Sequence, residues 1–232
     1  MRLYLIRHGD PDYSIDSLTP RGHKEAAALA VYLQAEGVDQ LVSSPLGRAR
    51  ATAGYTAERT GLPVTIEEWL RELPRLASPQ ARHCAWNVDG HLVHTPGFLA
   101  APNDWHDRAW FSHPEMEQTQ ARIQAASDAW LAGLGYVRES GGCYRVERPN
   151  RKRIAVFCHS GLGLTWLSQL LGVPLPVMYT SFFLHPSSVT TLLLDEREPG
   201  VATWRCLGLG ALPHLHRAGL EPSQAGIIAN YS

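Results

Sequence analysis

An α/β fold with a three-layer α/β/α sandwich is the class the sequence predicts, and three observations predict it. Short apolar runs alternate with segments of helical period along most of the chain. The runs Met1–Ile6, with Arg2 as its one charge, and Ile154–Cys158 are near-continuously apolar rather than alternating, the mark of strands buried on both faces. Cap-and-stop pairs such as Thr19-Pro20 and Gly37 bracket the helical stretches. Strands that alternate with helices predict a mostly parallel central sheet covered on both sides.

The elements follow in order. Residues 1–6 read as a buried strand. Thr19 is a cap and Pro20 a first helical residue, with Ala26, Leu29, Ala30 and Leu33 on one face and Gly37 as the stop. Gln40–Ser43 reads as a short strand. Ser44-Pro45 repeats the cap signal, for a second helix running to about Thr60 before Gly61. Val64–Ile66 is a third short strand. Pro114 opens a long helix to about Leu134, with Met116, Ile123, Ala126 and Trp130 facing inward. Tyr144–Glu147 is an extra strand and Ile154–Cys158 a strong one, followed by a helix over Leu162–Leu171 closed by Gly172. Ser188–Leu194 and Ala202–Leu207 form a hairpin around Glu198-Pro199-Gly200. Residues 77–112 break the rhythm. They carry Trp86, Trp105 and Trp110 without a clear period. The expected organisation is a single domain over 1–232, with an insertion or lid at 77–112.

Composition narrows the function. The 232 residues carry 21 Lys plus Arg against 22 Asp plus Glu, a formal net charge of −1. Such a balance argues against bulk binding to nucleic acid or an anionic membrane, so anion recognition has to be local. Cys84, Cys143, Cys158 and Cys206 are widely spaced and form no Cys-x-x-Cys pair, which suits reduced thiols in the cytoplasm. No apolar run approaches the roughly 20 residues of a membrane span. The N-terminus reads as a strand rather than a signal peptide.

Five places along the chain collect phosphate chemistry. In open α/β sheets the site lies at the carboxyl ends of the strands. Arg7-His8-Gly9 follows the first strand. Arg48 follows the second, at a helix start. Glu72 follows the third, in Leu70-Arg71-Glu72-Leu73, with Glu67 and Glu68 as near rivals. His159 follows Ile154–Cys158, and Ser160-Gly161 opens the next helix. Neutral imidazole is a good nucleophile near neutral pH. An arginine fork matches two phosphoryl oxygens, and a helix N-terminus adds N–H donors. A carboxylic acid can protonate a leaving alkoxide.

On those residues the chain resembles the histidine phosphatase superfamily, also called phosphoglycerate mutase-like. Leu5-Ile6-Arg7-His8-Gly9 is similar to its signature and Leu18-Thr19-Pro20-Arg21-Gly22 to its second block. Ser43 to Ala53 resembles the block with the second arginine, Leu70-Arg71-Glu72 the proton-donor block, and Cys158-His159-Ser160-Gly161 the second-histidine block. The resemblance implies a phosphoglycerate mutase-like fold. It implies that His8 becomes phosphohistidine, that Arg7, Arg48 and His159 clamp the phosphoryl oxygens with Ser160 beside them, and that Glu72 is the proton donor. Neither cofactor nor metal is implied.

The expected activity is hydrolysis of a small-molecule phosphate monoester. A cofactor-dependent mutase of phosphoglycerate type is the first alternative, because Arg82, His83, His91, His94, His106 and Arg108 of the insertion offer groups for a carboxylate. A non-catalytic binding protein on the same fold is the second. Asp10 departs from the Glu or Gln common after the glycine in this family, and Pro11-Asp12-Tyr13 departs from the mutase branch. His214-x-His216 reads as an exposed tail rather than a metal site, and Arg50 as a solvated neighbour of Arg48. The aromatic insertion and the hairpin edge are the candidate contacts of a homodimer.

Overall fold

The computed structural model describes residues 1–74, 84–101, 105, 111 and 113–227. Strand β1 (Arg2–Arg7) leads through a two-residue pair, β2 (Pro11–Asp12) and β3 (Ser17–Leu18), into helix α1 (Pro20–Glu36). Then come β4 (Gln40–Ser43), α2 (Gly47–Thr60) and β5 (Val64–Ile66). Single 3-10 turns at Glu68–Leu70, Ala85–Asn87 and Gly90–Leu92 precede the short helix α3 (Pro96–Ala100). Helix α4 (Pro114–Gly133), β6 (Tyr136–Arg138), β7 (Tyr144–Val146) and β8 (Arg153–Cys158) follow. The chain continues with α5 (Ser160–Leu171), α6 (Leu175–Ser181), β9 (Val189–Glu198), β10 (Val201–Ala211) and α7 (Pro213–Ala218).

The eight longer strands make one sheet in the order β5-β4-β8-β1-β9-β10-β7-β6. The expectation of a mostly parallel sheet holds only for the first half. β5, β4, β8 and β1 are mutually parallel, while β9, β10, β7 and β6 pair antiparallel. The sheet is therefore mixed. The reason lies in the connections: a tight turn at Pro199-Gly200 can join only antiparallel strands, whereas β1, β4, β5 and β8 are reached through helical crossovers.

Both faces are covered. Leu3 and Leu5 of β1 point into a cluster with α4, α5 and α6, while Tyr4 and Ile6 point into a second cluster with Leu29 and Leu33 of α1 and Ala53 of α2. This two-sided burial explains why β1 and β8 show no polar alternation. The N-terminal cap of α1 is as expected, Thr19 Oγ1 accepting from the Gly22 N–H, and Gly37 ends the helix in the left-handed region at φ 68°. Ser44 is not the cap residue expected: α2 begins at Gly47 after Leu46, and the Ser44 hydroxyl accepts the Leu46 N–H at 3.3 Å while it also meets His159. In α4 Met116 and Ile123 are buried as expected, but Ala126 and Trp130 are half-buried and Ser127 takes the inner position, accepting from Trp166 Nε1 at 2.7 Å.

Parts of the aromatic insertion belong to the main core. Ala85, Val88, Val93 and Phe98 join the cluster around α5. Trp105 is buried with its ring edge-on to Phe111 at 6.2 Å. Trp110, Arg82, His83, His106 and Arg108 lie outside the described residues. Nor do His214 and His216 lie on a free tail. α7 packs on α1, with His214 2 % exposed and its ring 6.3 Å from Tyr32; His216 is exposed.

Candidate active site

The parallel half of the sheet sets the site. β1 and β8 are in register with Arg7 beside Cys158, and β4 sits with Ser43 beside Phe157. Three strands thus end at one level, and the next residues, His8, Ser44 and His159, emerge side by side. The imidazole centroids of His8 and His159 are 5.2 Å apart. Of the predicted site residues, Arg7, His8, Arg48, His159 and Ser160 are all buried at this level and Glu72 is half-buried against them.

The backbone around His8 needs glycine. A Cβ on Gly9 would lie 2.9 Å from the Gly22 carbonyl oxygen, and one on Gly22 would lie 2.2 Å from that of Asp10. The loop after β1 is thereby pressed against the start of α1. The Gly9 N–H donates to Thr52 Oγ1 at 3.0 Å, and the Ser187 N–H donates to the His8 carbonyl at 2.9 Å. The His8 ring is fixed through Nδ1, which is 2.8 Å from the Gly9 carbonyl oxygen. A carbonyl only accepts, so Nδ1 carries the hydrogen and Nε2 keeps its lone pair.

Arg48 Nε points at that lone pair from 3.3 Å. The same guanidinium is held by Asp16, Nη1 to Oδ1 at 2.5 Å, and stands 5.3 Å above the Tyr13 ring. Asp16 Oδ2 also accepts the Gly47 N–H at 2.7 Å. Neither Asp16 nor Tyr13 has a sequence signal; they reach Arg48 only because β2 and β3 fold the loop back. Arg50 is exposed, as expected. Arg7 donates Nη1 to the Leu184 carbonyl at 2.5 Å and Nη2 to the Ala225 carbonyl at 3.2 Å. Its Nε is buried without a hydrogen-bond partner.

His159 Nε2 lies 2.7 Å from Ser44 Oγ, while its buried Nδ1 has no partner. Ser44 is the residue whose cap role failed, and its place in the same sequence block as Arg48 was the available clue. Burial pushes both histidines well below the usual imidazole value; Arg7 adds to this at His8, and His8 with Arg48 adds at His159. Both rings are therefore neutral near neutral pH.

Glu72 is distinguished from its neighbours by position. Glu68 is exposed and paired to Arg71 at 3.0 Å. Glu72 instead reaches the N-terminus of α5: Oε1 accepts from Leu162 at 2.9 Å and Leu73 at 3.0 Å, and Oε2 from Gly161 at 3.2 Å. Burial raises its pKa above the ordinary carboxylate range, against the pull of those N–H groups and Arg7. Ser160 is the first residue of α5, between His159 and the two amides that hold Glu72. A Cβ on Gly161 would meet the Trp86 ring at 2.7 Å and Glu72 Oε1 at 2.9 Å, so indole and carboxylate both close on this glycine.

Next to these groups opens a cavity of about 460 Å³, lined by Trp86, Asp89, Tyr179, Phe183, His185 and Ile227 among others. Trp86 and Phe183 join it to the centre, since Phe183 also lies under the Arg7 guanidinium at 5.6 Å. Among the described residues, no group of three or more His, Cys, Asp or Glu is placed to hold a metal ion.

The sequence profile of the histidine phosphatase superfamily, branch 1, matches residues 3–207. A glucosyl-3-phosphoglycerate phosphatase of Mycobacterium tuberculosis is 30 % identical over 183 residues, covering 75 % of this chain and 76 % of that protein. A probable phosphoglycerate mutase of an Enterobacter species is 28 % identical over 237 residues, covering 97 % and 99 %. Among solved structures, a mycobacterial glucosyl-3-phosphoglycerate phosphatase with vanadate superposes with a TM-score of 0.59 at 25 % identity, over 90 % of this chain and 98 % of that one. A phosphoserine phosphatase of Entamoeba histolytica shares the fold, with a TM-score of 0.63 at 22 % identity over 92 % and 98 %. The chain belongs to branch 1 of the histidine phosphatase superfamily.

Proposed function

We propose that this phosphatase hydrolyses a small phosphate monoester through a phosphohistidine on His8 Nε2. The observation that carries the reading is the His8 ring, whose Nδ1 hydrogen is tied to the Gly9 carbonyl while Nε2 faces Arg48. The lone pair of Nε2 attacks phosphorus and the P–O bond to the alcohol breaks. The positive charge that develops on the imidazole is held by the Gly9 carbonyl. Arg7 and Arg48 hold the equatorial oxygens, and the buried His159 Nδ1, without a hydrogen-bond partner, is a further group for them. Glu72, protonated more readily than an exposed carboxylate, gives its proton to the departing alkoxide. It then takes a proton from the water that attacks the phosphohistidine. Inorganic phosphate leaves and the starting state returns.

The substrate is a small-molecule phosphate ester whose alcohol part occupies the cavity beside Trp86 and Phe183. The mutase alternative has the support of the Enterobacter relative, across nearly the whole chain. Of the insertion groups offered for a carboxylate, His91 and His94 are exposed, and His94 Nε2 is 3.0 Å from Ser181 Oγ. Inorganic phosphate release measured against phosphate migration on a phosphoglycerate separates the two. Migration faster than release overturns the hydrolase reading, and a null result across a broad ester panel favours the binding protein.

A cytoplasmic place would suit the free thiols of Cys143, Cys158 and Cys206. No helix of the described residues is long and apolar enough to cross a membrane. A homodimer would draw on the exposed Val201 and Leu207 of β10, though β7 already covers the first two residues of that strand.

A further inference from the structure

The family match ends at residue 207, yet the chain continues back to the active site. After α7, the segment from Glu221 to Ile227 is fastened by four hydrogen bonds to the rest of the protein. Arg21 Nη2 donates to the Glu221 carbonyl at 2.5 Å. The Ser223 hydroxyl, on a residue 2 % exposed, donates to Asp10 Oδ1. His185 Nδ1 lies 3.2 Å from the Ser223 carbonyl oxygen. The Ser223 oxygen in turn accepts the Ala225 N–H at 3.1 Å, and the Ala225 carbonyl accepts Arg7 Nη2 at 3.2 Å. Gly226 follows at φ 94°, where a Cβ would lie 3.4 Å from Arg7 Nη2. Ile227 then lines the same cavity as Trp86.

We infer that residues 221–227 are a working part of the active site: the Asp10–Ser223 clasp holds the Ala225 carbonyl against Arg7 and so aims the guanidinium. This rests on the reading of Arg7 as a phosphate clamp. An arginine has five N–H donors in a rigid plane. Two are spent on the Leu184 and Ala225 carbonyls, which fixes the plane's tilt, and the buried Nε has no protein partner and remains for an oxyanion. Without the Ala225 carbonyl the plane is tied at one nitrogen and free to swing. The clasp also gives Asp10 a task. Its two oxygens take the Ser223 hydroxyl and, at 2.6 Å, the Thr19 hydroxyl, so the residue that departs from the family's habit joins the catalytic loop, the start of α1 and the end of the chain. Ser223 and Asp10 are positioning residues, since neither touches the reacting atoms.

The test uses the full chain, with inorganic phosphate as competitor and p-nitrophenyl phosphate as substrate. Ser223→Ala should raise the phosphate inhibition constant and KM together by about 10-fold, as expected for a loosened hydrogen bond to a charged group, with kcat changed less. Ser223→Thr, which keeps the hydroxyl, should restore both. Gly226→Ala puts a methyl group against Arg7 in a strained backbone region and should weaken phosphate in the same way; it decides the matter if Ser223→Ala does not fold. Inhibition constants within about twofold of wild type in the folded variants overturn the proposal, as does a fall in kcat alone. Arg7→Ala separates the two levels. If it leaves phosphate inhibition unchanged, the clamp reading itself falls. If it weakens phosphate strongly while Ser223→Ala and Gly226→Ala do not, only the role of the segment falls.

Discussion

Replacing Glu72 by glutamine tests the proton donor and its setting at once. The wild-type carboxylate receives three N–H groups, two on Oε1 and one on Oε2. A glutamine amide keeps one oxygen. Placed where Oε1 stands, it retains Leu73 and Leu162 and turns its NH₂ toward the Gly161 N–H. One buried donor is then unpaired, at a cost of about 1–3 kcal/mol. In a chain of this length that lowers Tm by roughly 2–10 °C. The pH dependence has a definite sign. Burial raises the folded pKa of Glu72, so the folded state binds this proton more tightly than the unfolded chain does. The associated stability is complete below the ordinary glutamate value and is lost as pH rises through the folded value. The advantage of wild type over Glu72→Gln should therefore be largest in acid and shrink as pH rises. A thermal melt series from pH 4 upward measures it, and an advantage that grows with pH would refute the raised pKa. Catalysis gives the second reading. An alkoxide, with a conjugate acid pKa near ~15, needs the proton in the transition state, and a nitrophenolate, near ~7, hardly does. The variant should lose roughly 10²–10⁴ in kcat on an alkyl phosphate and far less on p-nitrophenyl phosphate. Equal losses on both esters would remove Glu72 from the role. A selective loss in Glu68→Gln would be the more surprising result, because Glu68 is exposed and paired to Arg71.

Three further outcomes follow from the same geometry. His8→Ala should reduce kcat by at least roughly 10³, and acid-labile, base-stable labelling of the wild type during turnover should vanish in the variant; near-normal turnover would refute the nucleophile. Gly161→Ala drives a methyl group into the Trp86 ring and Glu72 Oε1, so activity on alkyl phosphates should fall more than on the aryl ester, and equal rates with wild type would show that neither group is held there. Activity should survive EDTA on the proposed mechanism, in which Arg7 and Arg48 would meet the phosphoryl charge; loss on chelation with rescue by an added metal would overturn this.

What the sequence determined by itself was local. Strands β1 and β8 were legible because burial on both faces makes them near-continuous apolar runs, and α1 because Thr19, Pro20 and Gly37 carry their own cap geometry. The chemical groups Arg7, His8, Arg48, Glu72, His159 and Ser160 were legible because they lie at or beyond the carboxyl ends of the parallel strands, where an α/β sheet exposes its ends. Tertiary structure decided what no local pattern encodes. The β9–β10 hairpin was legible at its turn, but its antiparallel pairing to β1 on one side and β7 on the other joins distant stretches of chain, and β6, α6 and α7 are stabilised by packing rather than by periodicity. Ser44 looks like a helix cap in isolation, but its hydroxyl is claimed by His159 from 115 residues away. Asp16 has no signature, since its value lies in a turn with φ 47° that delivers it to Arg48. His214 looked like part of an exposed tail and is buried, its Nε2 3.0 Å from Ser187 Oγ under the His8 loop. Ser223 and Ala225 are unremarkable in sequence and meet Asp10 and Arg7 only because α7 turns the chain back. Spacing along a chain fixes neighbours within a turn or a strand; hydrogen bonds between residues two hundred apart exist only once the sheet has brought their ends together.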